Sequence, residues 1–103
     1  MAIVVFVTCA NKNQANKIAQ ALIKQKLAAC VNLINPVNSL FWWQKKVDCA
    51  KEVLLIIKTK KGLFKRLEKL VKSLHSYDVP EIIALPIIAG NKQYLNWIDD
   101  STR

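Results

Sequence analysis

The chain carries one histidine, His75, three cysteines, Cys9, Cys30 and Cys49, and seven carboxylates. Any chemistry beyond simple binding must be built from these. The cysteines are widely spaced and lack a Cys-x-x-Cys pair, so neither a paired-cysteine zinc site nor a disulfide framework is written into them. Cys30 lies in an apolar stretch and reads as a small core residue. Two glycines are too few for a phosphate-cradling loop, and no Ser/His/Asp spacing or paired carboxylates mark a hydrolase. Cys9 as nucleophile with His75 as base is the weakest reading. We expect no enzymatic activity and no organic cofactor. A divalent cation makes better use of these groups. His75, Glu81 and Cys9 offer nitrogen, oxygen and sulfur, a set soft enough to favour copper or zinc over magnesium. The same histidine at a helix C-terminus also satisfies the helix dipole without any metal.

The elements that must position these residues follow from periodicity. Ala2 to Thr8 is short, apolar and β-branched, so it reads as a strand covered on both faces. Asn11 or Asn13 can cap a helix in which Ala15, Ile18, Ala19, Leu22 and Ile23 recur at helical spacing as far as Lys26. Ala29 to Trp43 is a long strand that Asn35-Pro36 must bend or bulge, because proline cannot donate to a ladder. Gln44-Lys45-Lys46 is the hairpin tip, and Val47 to Thr59 returns as a third strand. A second helix from Lys61 to Leu74 has one apolar stripe and one charged row. His75 to Pro80 is a loop, and Glu81 to Ala89 a fourth strand whose Pro86 suits a sheet edge. Gly90 turns the chain, and Asn91 caps a C-terminal helix carrying Tyr94, Leu95, Trp97 and Ile98.

The order β-α-β-β-α-β plus a terminal helix predicts a ferredoxin-like α+β domain covering residues 1–103. A right-handed crossover places the third strand between the first and second, giving an antiparallel sheet of order 4-1-3-2. Cys9, His75, Tyr77 and Glu81 then converge at one end, although they are far apart in sequence. The long hairpin falls on the opposite edge and carries Phe41, Trp42 and Trp43. Such an edge invites pairing with another chain, so a homo-oligomer is expected.

Composition agrees with a compact domain. Apolar residues make up 52% of the 103 and the mean hydropathy is +0.15, too apolar for a disordered tail. No apolar run reaches the ~20 residues of a membrane helix, so no membrane partner is expected. The formal charge of +9 raises nucleic acid as a partner. Yet fourteen of the sixteen cations are lysines, and the bidentate contacts of nucleic-acid readers favour arginine. The lysines read as solvated, with no nucleic-acid partner. The N-terminus lacks a basic segment before its apolar run, which with the unpaired cysteines predicts a cytosolic protein.

The whole chain resembles the CutA family of divalent-cation tolerance proteins. The matching pieces are Val7-Thr8-Cys9-Ala10-Asn11, Lys26-Leu27-Ala28-Ala29-Cys30-Val31-Asn32, Ser39-Leu40-Phe41-Trp42-Trp43, Glu52-Val53, Ile57-Lys58-Thr59 and His75-Ser76-Tyr77-Asp78-Val79-Pro80-Glu81. Leu85-Pro86-Ile87, Gly90, Tyr94-Leu95 and Trp97 complete the order. The resemblance implies a homotrimer joined through the hairpin edges and a cytosolic role in copper-type cation tolerance. Intersubunit clefts would be lined by Trp43, Lys58 and Tyr77, with His75, Glu81 and Cys9 as metal ligands. The alternative is a PII-like signalling or scaffold trimer that takes a small anion or a partner protein in the same clefts. Three positions depart from the family pattern. Phe41 replaces a tyrosine, Ser76 replaces a proline, and Lys45 stands where a hairpin glycine is usual. If that turn needs positive φ, lysine costs about 1–2 kcal/mol there, and a rearranged turn is expected.

Overall fold

The computed structural model describes all residues, 1–103. Strand β1 (Ala2–Cys9) leads into α1 (Lys12–Lys24), followed by β2 (Cys30–Trp43) and β3 (Lys46–Lys60). A 3-10 turn (Lys61–Leu63) precedes α2 (Phe64–Leu74), then come β4 (Ile82–Pro86) and α3 (Lys92–Asp100). The sheet is antiparallel throughout, with order β2-β3-β1-β4, which is the predicted 4-1-3-2 read from the other edge. The fold class is the expected ferredoxin-like α+β arrangement.

Local chemistry fixes the ends of the elements. The Asn11 side chain accepts from the Gln14 N–H at 2.9 Å and starts α1; Asn91 does the same for α3 through Tyr94 at 2.9 Å. Strand β4 stops at Pro86, three residues earlier than the apolar run through Ala89 suggests. Its edge position tolerates the proline, which has no N–H to give a further partner.

The core lies on one side of the sheet. Val5, Val7, Leu55 and Ile57 point toward Ala15, Ile18 and Leu22 of α1 and Leu67 and Val71 of α2, all buried. Thr59 joins them by donating its hydroxyl to the Leu27 carbonyl at 2.7 Å. Within the chain, the expectation that β1 is covered on both faces is not met. Its burial alternates strictly, and Ala2, Val4, Phe6 and Thr8 are only half-buried. Two long helices cover one face of four strands, and α3 closes only the end near Lys60 and Met1.

Between Ile34 and Val37 the β2 strand carries one more residue than β3, the bulge that Asn35-Pro36 foretold. One added residue inverts side-chain alternation. Beyond it, Leu40 and Trp42 share a face with Val47, while Phe41 and Trp43 share the other with Glu52 and Leu54. The hairpin overhangs the sheet with no helix beneath it.

Its tip corrects the expectation of a rearranged turn. Trp43 pairs with Lys46, so Gln44 and Lys45 form a two-residue loop, and both are left-handed, with φ 50° and 65°. The strands' twist demands that turn, and lysine accepts it. Lys45→Gly should therefore raise unfolding free energy by about 0.5–1 kcal/mol, the strain relieved less the added chain entropy. Leu55→Ala should lower it by about 2–5 kcal/mol. Urea denaturation checks both.

Candidate functional site

The end of β1, the middle of β3 and the loop after α2 meet at one corner of the sheet. Antiparallel pairing sets Cys9 opposite Val53, which brings Glu52 alongside. The loop from His75 to Glu81 folds over this corner and is fastened at three points. His75 Nε2 donates to the Thr8 carbonyl at 2.7 Å, and its Nδ1 accepts the Tyr77 N–H at 3.0 Å. The Tyr77 hydroxyl donates to Glu52 Oε2 at 2.8 Å. Ser76 Oγ donates to Gln14 Oε1 of α1 at 3.3 Å. The His75 and Tyr77 rings lie against each other with centroids 4.8 Å apart. Ser76 thus contributes a tie to α1 that a proline could not make.

Electrostatics follow from the crowding. Burial pushes the Cys9 thiol up to about 11, and the Glu52 charge adds to the effect. Tyr77 is pushed up to about 12 by desolvation first, then by its hydrogen bond to Glu52. Glu81 is raised above the ordinary carboxylate range, again by desolvation first and the Glu52 charge second. Glu52 is the centre of this cluster, nine-tenths buried, and its charge adds to burial in raising all three groups. The sequence offered one signal for it, a carboxylate directly before the apolar run Val53 to Ile57. Only the β1–β3 register reveals what that carboxylate faces.

The expected convergence of Cys9, His75, Tyr77 and Glu81 at one end is present. No three His, Cys, Asp or Glu side chains form a group able to hold a cation. Both His75 nitrogens are engaged, and the Cys9 thiol is buried among core residues. Within one chain these residues do not fit a resident metal. The expected cleft residues also lie apart. Trp43 sits about six strand residues, roughly 20 Å, beyond Glu52 on the overhanging hairpin. Lys58 sits as far in the opposite direction, with its ammonium on the Asn32 side-chain carbonyl. Only Tyr77 belongs to the corner.

Fold and corner together define a ferredoxin-like domain with an overhanging aromatic hairpin and a carboxylate-centred loop clasp. Residues 3–101 match the family described as CutA1 divalent ion tolerance protein. The chain belongs to that CutA family. It is 50% identical to the rice chloroplastic protein CutA 1 over 98% of this chain and 57% of that protein. It is 44% identical to the divalent-cation tolerance protein CutA of Thermus thermophilus over 96% of each. The chain therefore spans a little over half of its plant relatives and nearly all of the bacterial one. The solved Thermus thermophilus structure covers 100% of both chains with a TM-score of 0.98. An Archaeoglobus fulgidus structure, titled a periplasmic divalent cation tolerance protein, matches at 40% identity over 98% of each chain, with a TM-score of 0.95.

The raised values predict alkaline lability. Between the unfolded Cys9 value of 9.0 and the folded value of about 11, the unfolded chain gives up a proton that the folded chain keeps. Stability contributed by the neutral thiol is thus full below pH 9 and lost as pH rises toward 11. Tyr77 adds a second loss between 10 and about 12. Urea midpoints should fall from pH 9 upward, and in Cys9→Ala, weaker at every pH, the fall should begin nearer pH 10.

Proposed function

We propose that this chain acts as a homotrimer in divalent-cation tolerance, without catalysis, and that a copper-type cation is taken where subunits meet. One observation carries the reading: the apolar surface that a single chain leaves open. Only 20 of 103 residues are buried although half the sequence is apolar. Leu40 and Trp42 are about three-quarters exposed, Trp43 60% and Val47 59%, on a hairpin whose β2 edge has no partner. Ile83 and Leu85 extend the open sheet face to the other edge. A second copy is the natural cover for a ribbon of this kind, because it offers an edge and a face of the same character.

The cation reading rests on what relatives of this chain are named for, and on the chemistry the corner leaves available. Glu81 is exposed and makes no hydrogen bond, so it can serve as a ligand across a subunit boundary. His75 and Cys9 are instead read as fastenings of the loop. Trp43 and Lys58, distant within one chain, are proposed to reach clefts contributed by neighbours. The three cysteines are free thiols, which suits a reducing setting such as the cytosol.

Light scattering at micromolar concentration should give three times the 11.7 kDa of one chain, and Leu40→Glu with Trp42→Glu should shift the mass downward. A native protein that scatters as a single chain sinks the reading. Calorimetric titration should show Cu²⁺ binding at least tenfold weaker in the dissociated variant, with His75→Ala changed by less than about threefold. Equal affinity in native and dissociated protein would put the site on one chain, and a tenfold loss in His75→Ala would restore that ring as a ligand.

A further inference from the structure

Counted along the sequence, the lysines look dispersed. On the fold they segregate. The helical layer formed by α1 and α2 and their ends holds Lys12, Lys17, Lys24 and Lys26, and then four lysines and Arg66 between residues 61 and 72. Glu68 is the single anion among them. That layer carries a net +8 of the chain's +9. All nine cations are exposed. None is paired, since the one salt bridge in the molecule joins Lys60 to Asp99.

Nothing in the fold requires this charge. The apolar stripes of both helices are spent on the core. Neither helix has an acidic residue in its first turn, and Lys12, Lys65 and Arg66 stand near helix N-termini, where a cation opposes the helix dipole. Like charges four residues apart repel one another. Lys24 and Lys72 lie in last turns, where the dipole favours them, but the cations at the helix starts and the Lys61–Lys65–Lys69 succession are held against local stability.

We propose that this helical face is a docking surface for the phosphate backbone of nucleic acid, read by charge and not by sequence. Lys61, Lys65, Lys69 and Lys72 follow one another at spacings of four, four and three residues. Lys61 opens the row in the 3-10 turn, and the other three continue it along one side of α2 with rises of roughly 4.5–6 Å per step. A row of cations complements a linear chain of phosphates, and releasing counterions from so dense a polyanion drives such binding. Lysine suits non-specific contact as a point charge, whereas base readout would call for arginine forks. A lipid surface is the poorer fit. Membrane-lying helices bury large apolar side chains among the headgroups, and across this layer only Ile23 is an exposed large hydrophobic.

The test is fluorescence anisotropy with a labelled 25-base-pair DNA duplex of mixed sequence. Native protein should bind at 50 mM NaCl and weaken about 40–150-fold by 200 mM, the slope expected for three to four neutralised phosphates. A second mixed sequence should bind equally. The triple variant Lys65→Gln, Lys69→Gln, Lys72→Gln should lose at least tenfold. A triple of identical charge change outside the layer, Lys45→Gln, Lys51→Gln, Lys92→Gln, should stay within threefold. Equal losses in the two triples would reduce the effect to net charge and overturn the proposal. Absence of binding at 50 mM, or stronger binding to vesicles containing 30% phosphatidylserine at the same salt, would overturn it too.

Discussion

A four-stranded sheet with apolar residues on both faces, and two long helices for only one of them, is the constraint on which the rest of this molecule turns. Val5, Val7, Leu55 and Ile57 are satisfied by α1 and α2. Val4, Phe6, Leu54 and Ile56 alternate with them along the same strands and receive no such cover. At roughly 25 cal/mol per Å² of apolar surface removed from water, an unsatisfied sheet face is a large reserve of free energy for association. The overhanging hairpin enlarges that reserve, and the bulge at Asn35-Pro36 decides which aromatic residue faces which way.

The polar corner solves a different problem. Glu52 is taken out of water at the sheet end, where an unpaired carboxylate would be costly. Its partner is the Tyr77 hydroxyl, and the price of bringing that hydroxyl across is met by the His75 ring, which bridges the loop to the β1 carbonyl. Burial and a fixed negative charge act in the same direction on Cys9, Tyr77 and Glu81, so all three favour their protonated forms. A corner built this way is a clasp. It holds the His75–Glu81 loop against the end of β1 and leaves Glu81 as its outward carboxylate.

Much of this was legible in the sequence because it depends on period and punctuation. Alternation against 3.6-residue spacing separated strands from helices, Asn11 and Asn91 announced helix starts, and Pro36 announced the bulge. The crossover rule then gave the strand order. What stayed hidden depends on register and on rotamers. A one-residue slip between β1 and β3 would remove Glu52 from Cys9, and nothing local in either strand fixes that register. Residue type reveals a nitrogen at His75 and says nothing of the Thr8 carbonyl and Tyr77 N–H that its ring meets. Lys45 in a left-handed turn was misjudged for a related reason: strand twist on both sides outweighs the preference of one residue. The charge map was hidden as well, since lysines distant in sequence fall on adjacent helices only after folding.

The apolar face and the cationic layer also constrain each other. Chains of charge +9 repel, and association on a shared apolar surface must overcome that repulsion. The sheet separates the two: helices lie on one side, the open face on the other, with a layer spacing of about 10 Å between helix and sheet. At physiological ionic strength the Debye length is about 8 Å. Copies that meet through their open sheet faces therefore hold their cationic layers at least two such spacings apart, where solvent screens most of the repulsion. Copies that met through their helices would bring those charges into contact. The same segregation that turns the lysines outward thus makes the sheet face and its hairpin the surface of lower electrostatic cost for the proposed assembly.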